Sequence, residues 1–174
     1  MSNDWAERIV TLALVKQDLA KADKEQLWPY HLPSLAASKD ELDAVESYLG
    51  FKLDKEYRAF LDMANGWKGF FQYIDLFGTT QLLGSPDMEY ACGLLESIDD
   101  DVFRTIGFSR NEFMAIASTR HDKDVFVIST SRSTKPGIVI WLAGEEVERF
   151  ESFTDFFLSM IDYNRQELEE MKEE

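Results

Sequence analysis

Apolar residues recur at helical spacing near the amino end of the chain. Trp5, Ile9, Leu12 and Leu19 share one stripe of "SNDWAERIVTLALVKQDLAKAD", and Leu14 and Val15 widen it. That spacing predicts an amphipathic helix. Asp4 is placed to cap it, with Glu7 three residues later, as in a capping box. "WPYHLP" breaks the pattern, because Pro29 and Pro33 drive the backbone before them into an extended form. In "SKDELDAVESYLG", Ser38 and Glu41 form a second capping box. Leu42, Val45 and Leu49 share a face, and Gly50 supplies the left-handed residue that ends the helix. A third helix follows in "LDKEYRAFLDMANG". Asp54 caps it, Tyr57, Phe60, Leu61 and Ala64 make its stripe, and Asn65-Gly66 provides the exit.

After Gly66 the period changes. Phe71, Tyr73 and Asp75 alternate with Gln72, Ile74 and Leu76. Apolar residues fall on both faces, which predicts a strand near the middle of a sheet. Phe71, Tyr73 and Phe77 are expected in the core, and Trp67, beside the turn, is expected to be exposed. A helix is predicted from Ser85 or Pro86, running toward the acidic group Asp99, Asp100 and Asp101. "FMAIAS", "DVFVIST" and "GIVIWLA" read as three strands joined by turn-forming segments, and "EEVERF" as a short fourth. Ser152 then opens a final helix whose apolar face holds Phe153, Phe156, Phe157, Met160 and Ile161. Glu169, Glu170, Glu173 and Glu174 crowd its carboxyl end, where the helix dipole favours cations, so the last turns are expected to fray. The element order predicts an α+β fold with a largely antiparallel sheet covered by helices. The expected organisation is an extra N-terminal helix within residues 1–28, one domain over 29–165, and an acidic tail at 166–174.

Composition narrows the function classes. The chain has 174 residues, 45% of them apolar and 13% aromatic, which fits one folded domain with its own core. Its single cysteine, Cys92, excludes an intrachain disulfide and suits a reducing compartment. The amino end lacks a basic region followed by an apolar run, and no stretch has the length of a membrane span. The expectation is a cytoplasmic protein. Acidic residues number 33 against 18 basic ones, for a net charge of -15. Such a field repels phosphate backbones and anionic membranes and favours a basic partner. It also serves solubility alone.

Candidate chemistry is sparse. His31 and His121 lie far apart, and neither has a partner at metal-ligand spacing on a helix. His121, Asp122 and Asp124 read as polar turn residues. Cys92 has no basic neighbour to lower its pKa. No serine sits in a nucleophile elbow, and no glycine-rich phosphate loop follows a strand. No catalytic, cofactor or metal residues are therefore assigned, and the expectation is a binding protein rather than an enzyme. The candidate contact residues are Trp67, the acidic group Asp99, Asp100 and Asp101, and Glu145, Glu146 and Glu148. Each charge run is also readable as a solvated face.

"ELDAVESYLGFKLDKEYRAFLDMANGW" resembles the opening of the SUKH superfamily, in its Smi/Knr-type branch. Glu46, Leu49 and Gly50 fit the first part of that pattern. Leu53, Tyr57, Arg58, Phe60 and Leu61 fit the second, and Asn65-Gly66 fits its end. Asp54 stands where proline is usual, and Trp67 where glycine is often found. "FMAIAS", "DKDVFVIST", "GIVIWLA" and "SFTDFF" extend the likeness to roughly residues 34–163. The resemblance implies a binding domain: an immunity protein that neutralises a cognate toxin, often a nuclease, or a regulatory and scaffolding protein of cell-wall synthesis or signalling. A nuclease site is basic, which suits an acidic partner. An unrecognised hydrolase is a third and weaker reading.

Overall fold

The structure, a computed structural model, describes residues 4–174. Ser2 and Asn3, at the head of the first predicted helix, lie outside the described residues. Three helices come first: α1 (Asp4–Ala22), α2 (Lys39–Leu49) and α3 (Lys55–Leu61). Strands β1 (Trp67–Phe71) and β2 (Ile74–Leu76) follow, then α4 (Thr79–Leu82), α5 (Pro86–Ser97) and α6 (Asp100–Ile106). A single 3-10 turn leads into β3 (Phe113–Ser118), β4 (Val125–Ser129), β5 (Val139–Leu142), β6 (Glu146–Phe150) and the long α7 (Phe153–Glu173).

The strands form one six-stranded sheet in chain order, each antiparallel to the next. Helices cover both faces. On one face, Ile116, Phe126, Ile128 and Val139 of the sheet meet α1, α2, α3 and α7 through Leu12, Leu42, Phe60 and Phe156. On the other, Ala115, Val127, Ile140 and Leu142 meet α5 and α6 through Ala91, Leu95, Phe103 and Ile106. This explains why β4 is apolar at nearly every position. It lies inside the sheet with helices above and below, and all five of its residues are buried.

Local sequence rules set most helix ends. The Ser38–Glu41 capping box is closed in both directions, and Gly50 adopts a left-handed φ of 78° at the end of α2. The Asp54 carboxylate accepts from the amides of Glu56 and Tyr57 to start α3. Asp4 departs from expectation: it lies within α1 and pairs with Arg8 at 3.9 Å. Leu14 does not join the stripe and is exposed, whereas Val15 is buried. The expected fraying of α7 is not seen. The helix continues to Glu173, and Leu168 is buried against Val15 and Leu19 of α1. Burial of that apolar face along α1 outweighs the unfavourable terminal charge, which costs only ~0.3–1 kcal/mol.

The aromatic stretch after Gly66 is two strands rather than one. The chain reverses at Gln72-Tyr73, where Gln72 takes a positive φ of 54°. β1 is consequently at the edge of the sheet, not near its middle. The proline-rich segment covers that edge. The Ser34 amide donates to the Gly66 carbonyl at 3.1 Å, and the Trp67 indole donates to the His31 carbonyl at 2.9 Å. Covering an edge strand this way removes a template for unwanted pairing.

A single buried hydroxyl joins the helical layer to the sheet. Tyr57 is fully buried, and its OH donates to the Phe77 carbonyl at 2.7 Å. Tyr57→Phe is expected to cost about 1–2 kcal/mol, because the carbonyl is left without its donor. A urea titration would check this, and an unchanged midpoint would mean the bond contributes nothing net.

Candidate functional site

The largest concentration of paired charge lies where α2 meets α3. Glu46 sits on the apolar side of α2, only 9% exposed. One of its oxygens accepts from the Leu53 amide and the other from Arg58 Nη1, both at 2.8 Å. Arg58 Nη2 reaches Asp43 at 3.0 Å, and Asp43 also receives Lys39 Nζ at 2.8 Å. Those two cations hold the Asp43 carboxyl below its ordinary range, Lys39 contributing most. Lys52 closes the rim, 3.5 Å from Glu46. An open groove runs along this corner, walled by Ser47, Phe51 and Lys52. The carboxylates in it already serve as acceptors for a guanidinium and a backbone amide. Through these contacts the corner ties α2 to α3.

A second junction holds the end of α3 against the start of α4. Asn65 Oδ1 accepts from the Thr79 amide at 2.7 Å, and its Nδ2 donates to Thr79 Oγ1 at 2.8 Å. Gly66 has a φ of 89°, and Gly78 packs directly beneath Asn65. A Cβ on Gly78 would lie 2.6 Å from Asn65 Oδ1 and closer still to the Asn65 carbonyl, so no side chain fits there. Asn65-Gly66 is thus both a helix exit and a two-point clasp.

The predicted contact residues fall in separate places. Trp67 is corrected: it is 1% exposed, buried beneath the segment that carries His31, and unavailable to a partner in this fold. Asp99, Asp100 and Asp101 are all exposed and form the start of α6, where acidic groups suit the helix dipole. Asp100 pairs with Arg110 at 3.0 Å and Asp101 with Arg104 at 2.9 Å. Glu145 is exposed in the turn between β5 and β6. Glu146 pairs with Arg149 at 2.7 Å, and the half-buried Glu148 accepts from the Tyr163 hydroxyl at 2.9 Å. Arg149 in turn donates to the Ile106 carbonyl at the far end of α6.

Sequence reading placed Tyr73 in the core, but it is 38% exposed at the β1–β2 turn. Its ring stacks on His121 with centroids 4.1 Å apart, and Trp28 meets it edge-on at 5.3 Å. This aromatic group holds the exposed position that the sequence suggested for Trp67. His121 is occupied in that stack, and Asp124 accepts from the Trp141 indole at 2.8 Å. Among the described residues, no group of three or more His, Cys, Asp or Glu side chains is placed to hold a metal ion. Among them, too, no helix is long and apolar enough to cross a membrane.

These features define an α+β scaffold: a charged helix corner and a clasped turn set against an antiparallel meander. The chain belongs to the SMI1 / KNR4 family (SUKH-1), whose profile matches residues 36–159. The match begins just before the α2 capping box and ends within α7, so it takes in the corner, the clasp and the whole sheet. No curated protein matches the chain.

Proposed function

We propose that this protein is a non-enzymatic, cytoplasmic binding module of the immunity type, which neutralises a cognate nuclease-type toxin through its acidic surface. The observation that carries the reading is a net charge of -15 on a chain that belongs to this family. Asp99, Asp100, Asp101, Glu145 and Glu146 are exposed and supply the contact charge. Their internal pairs are surface ion pairs, worth roughly 0–1 kcal/mol each, so cations of a partner can replace Arg104, Arg110 and Arg149. A basic, phosphate-holding toxin site would be steered to this surface quickly, and the complex would weaken with salt. Trp67 drops out of the contact set because it is buried.

Affinity capture from the native organism, washed at low and at high salt and read by mass spectrometry, tests the reading. One basic, nuclease-like protein held in near-equal amount and released by salt supports it. A set of signalling or cell-wall proteins would replace it with a regulatory role. Reversing Asp99, Asp100 and Asp101 to lysine is expected to weaken capture by about tenfold or more with the fold kept. Unchanged capture would end the acidic-surface mechanism.

A further inference from the structure

Lys16 stands on the buried face of α1, one turn after Leu12 and one before Leu19, and is only 4% exposed. Among the described residues, its ammonium has no hydrogen-bond or ion-pair partner. No oxygen among them answers its charge directly, and the one close contact they make with it is a cation–π approach from Tyr30. The Tyr30 ring centroid lies 5.2 Å from Nζ, and the Tyr30 hydroxyl donates to Asp23 at 2.8 Å. Glu167 of α7 attracts the ammonium from a distance, but its carboxylate accepts from Gln72 Nε2 at 3.2 Å. Burial lowers the Lys16 ammonium to about 8, against the pull of Glu167.

A cavity of about 110 Å³ opens beside this amine, between α1 and the Tyr30–Leu32 segment. Ala13, Ala20, Tyr30 and the 73% exposed Leu32 give it apolar walls, and Gln17 and His31 line it as well. Drug-sized ligands occupy sites of roughly 300–1,000 Å³, so this volume limits an occupant to a few heavy atoms. A buried cation is stable when a counter-charge with hydrogen-bonding oxygens meets it. A single cation in an acidic protein, with Glu167 and Asp23 nearby, selects a monoanion over a dianion. We propose that this pocket binds a small monocarboxylate with a short apolar tail, the carboxylate on Lys16 Nζ and the tail between Ala13, Ala20 and Leu32. The pocket residues all precede residue 36, where the family match begins, so the site is an addition to the family domain and independent of toxin capture.

Titrating the full chain with sodium butanoate, followed by NMR of the lysine side chains, tests the proposal. Butanamide and butylamine serve as controls. The expected result is a saturable shift of the Lys16 signals with butanoate alone, and an upward move of the Lys16 titration midpoint. Lys16→Met should weaken binding by about tenfold or more, the loss of one charge-assisted contact. Ala20→Trp, on the exposed side of α1, should block the cavity while leaving Lys16 and the melting temperature in place. Equal binding of butanamide, undiminished binding to Lys16→Met, or no saturable shift would each overturn it.

Discussion

Arg58→Ala is expected to lower stability by about 3–5 kcal/mol, since removing one partner of a buried ion pair leaves the other charge uncompensated. The Glu46 side chain is 8% exposed, against 28% for Arg58. Without the guanidinium, the carboxylate retains the Leu53 amide and the 85% exposed Lys52, 3.5 Å away. Lys52 already pairs with the carboxylate and stays solvated, which places the effect nearer 3 than 5. Glu46→Gln should be milder, because the amide oxygen can still accept from Leu53. The double change Glu46→Leu with Arg58→Leu should recover much of the loss, since an apolar pair of similar volume avoids burying charge. Chemical denaturation of the three variants would resolve these values. A loss under about 1 kcal/mol for Arg58→Ala would show that the corner behaves as a surface pair.

Where one short stretch of chain decides the outcome, the sequence is readable. Ser38 with Glu41, Asp54, and Ser152 mark helix starts that the structure reproduces, because a cap needs only residues within one turn. The strands β3 to β6 and their order follow from apolar runs broken by turn residues. The β1–β2 reversal was hidden because Gln72 takes the positive φ that Gly or Asn usually signals. α4, with four residues, is too short to display a period, and only two residues separate α6 from α5, so its acidic start reads as the end of that helix. Trp67 could not be read locally at all, since the chain that buries it lies more than thirty residues upstream, at His31. The acidic groups were legible as exposed runs, but only Arg104 and Arg149, three residues from their partners, could be paired by spacing. Arg110, ten residues from Asp100, could not. Two charged residues carried an overlooked signal. Glu46 follows Leu42 by four positions and Lys16 follows Leu12 by four, so both fall on apolar stripes. A charge in that position must be paired, solvated by snorkelling, or shifted in pKa. Glu46 takes the first course and Lys16 the last.

Lys16→Met should therefore raise stability by up to ~3 kcal/mol at pH 7 and remove a pH dependence that the parent protein shows. Burial moves the Lys16 ammonium from its ordinary 10.5 to about 8, a difference that corresponds to ~3 kcal/mol. Between those two values the unfolded chain still holds a proton that the folded chain has released. Stability rises with pH wherever the unfolded state binds more protons, so the parent gains stability from pH 8 toward 10.5. Below pH 8 both states are protonated at this site, and the cost of burying the cation is present in full. Two tyrosines oppose the trend at higher pH. Burial raises the hydroxyls of Tyr30 and Tyr57 above their ordinary value, so above about pH 10 the folded state holds protons that the unfolded chain loses. Both proteins carry these tyrosines, as well as Glu167 and Asp23 beside the site. Subtracting the variant's pH profile from the parent's isolates Lys16. The difference should be largest at and below pH 8 and should shrink toward zero near 10.5. A difference that stays flat across that range would mean that Lys16 reaches solvent readily. The carboxylate pocket would then lose the unanswered charge on which it rests. If the predicted profile is seen, a saturating monocarboxylate should flatten it, because a bound anion restores the ammonium toward its ordinary value.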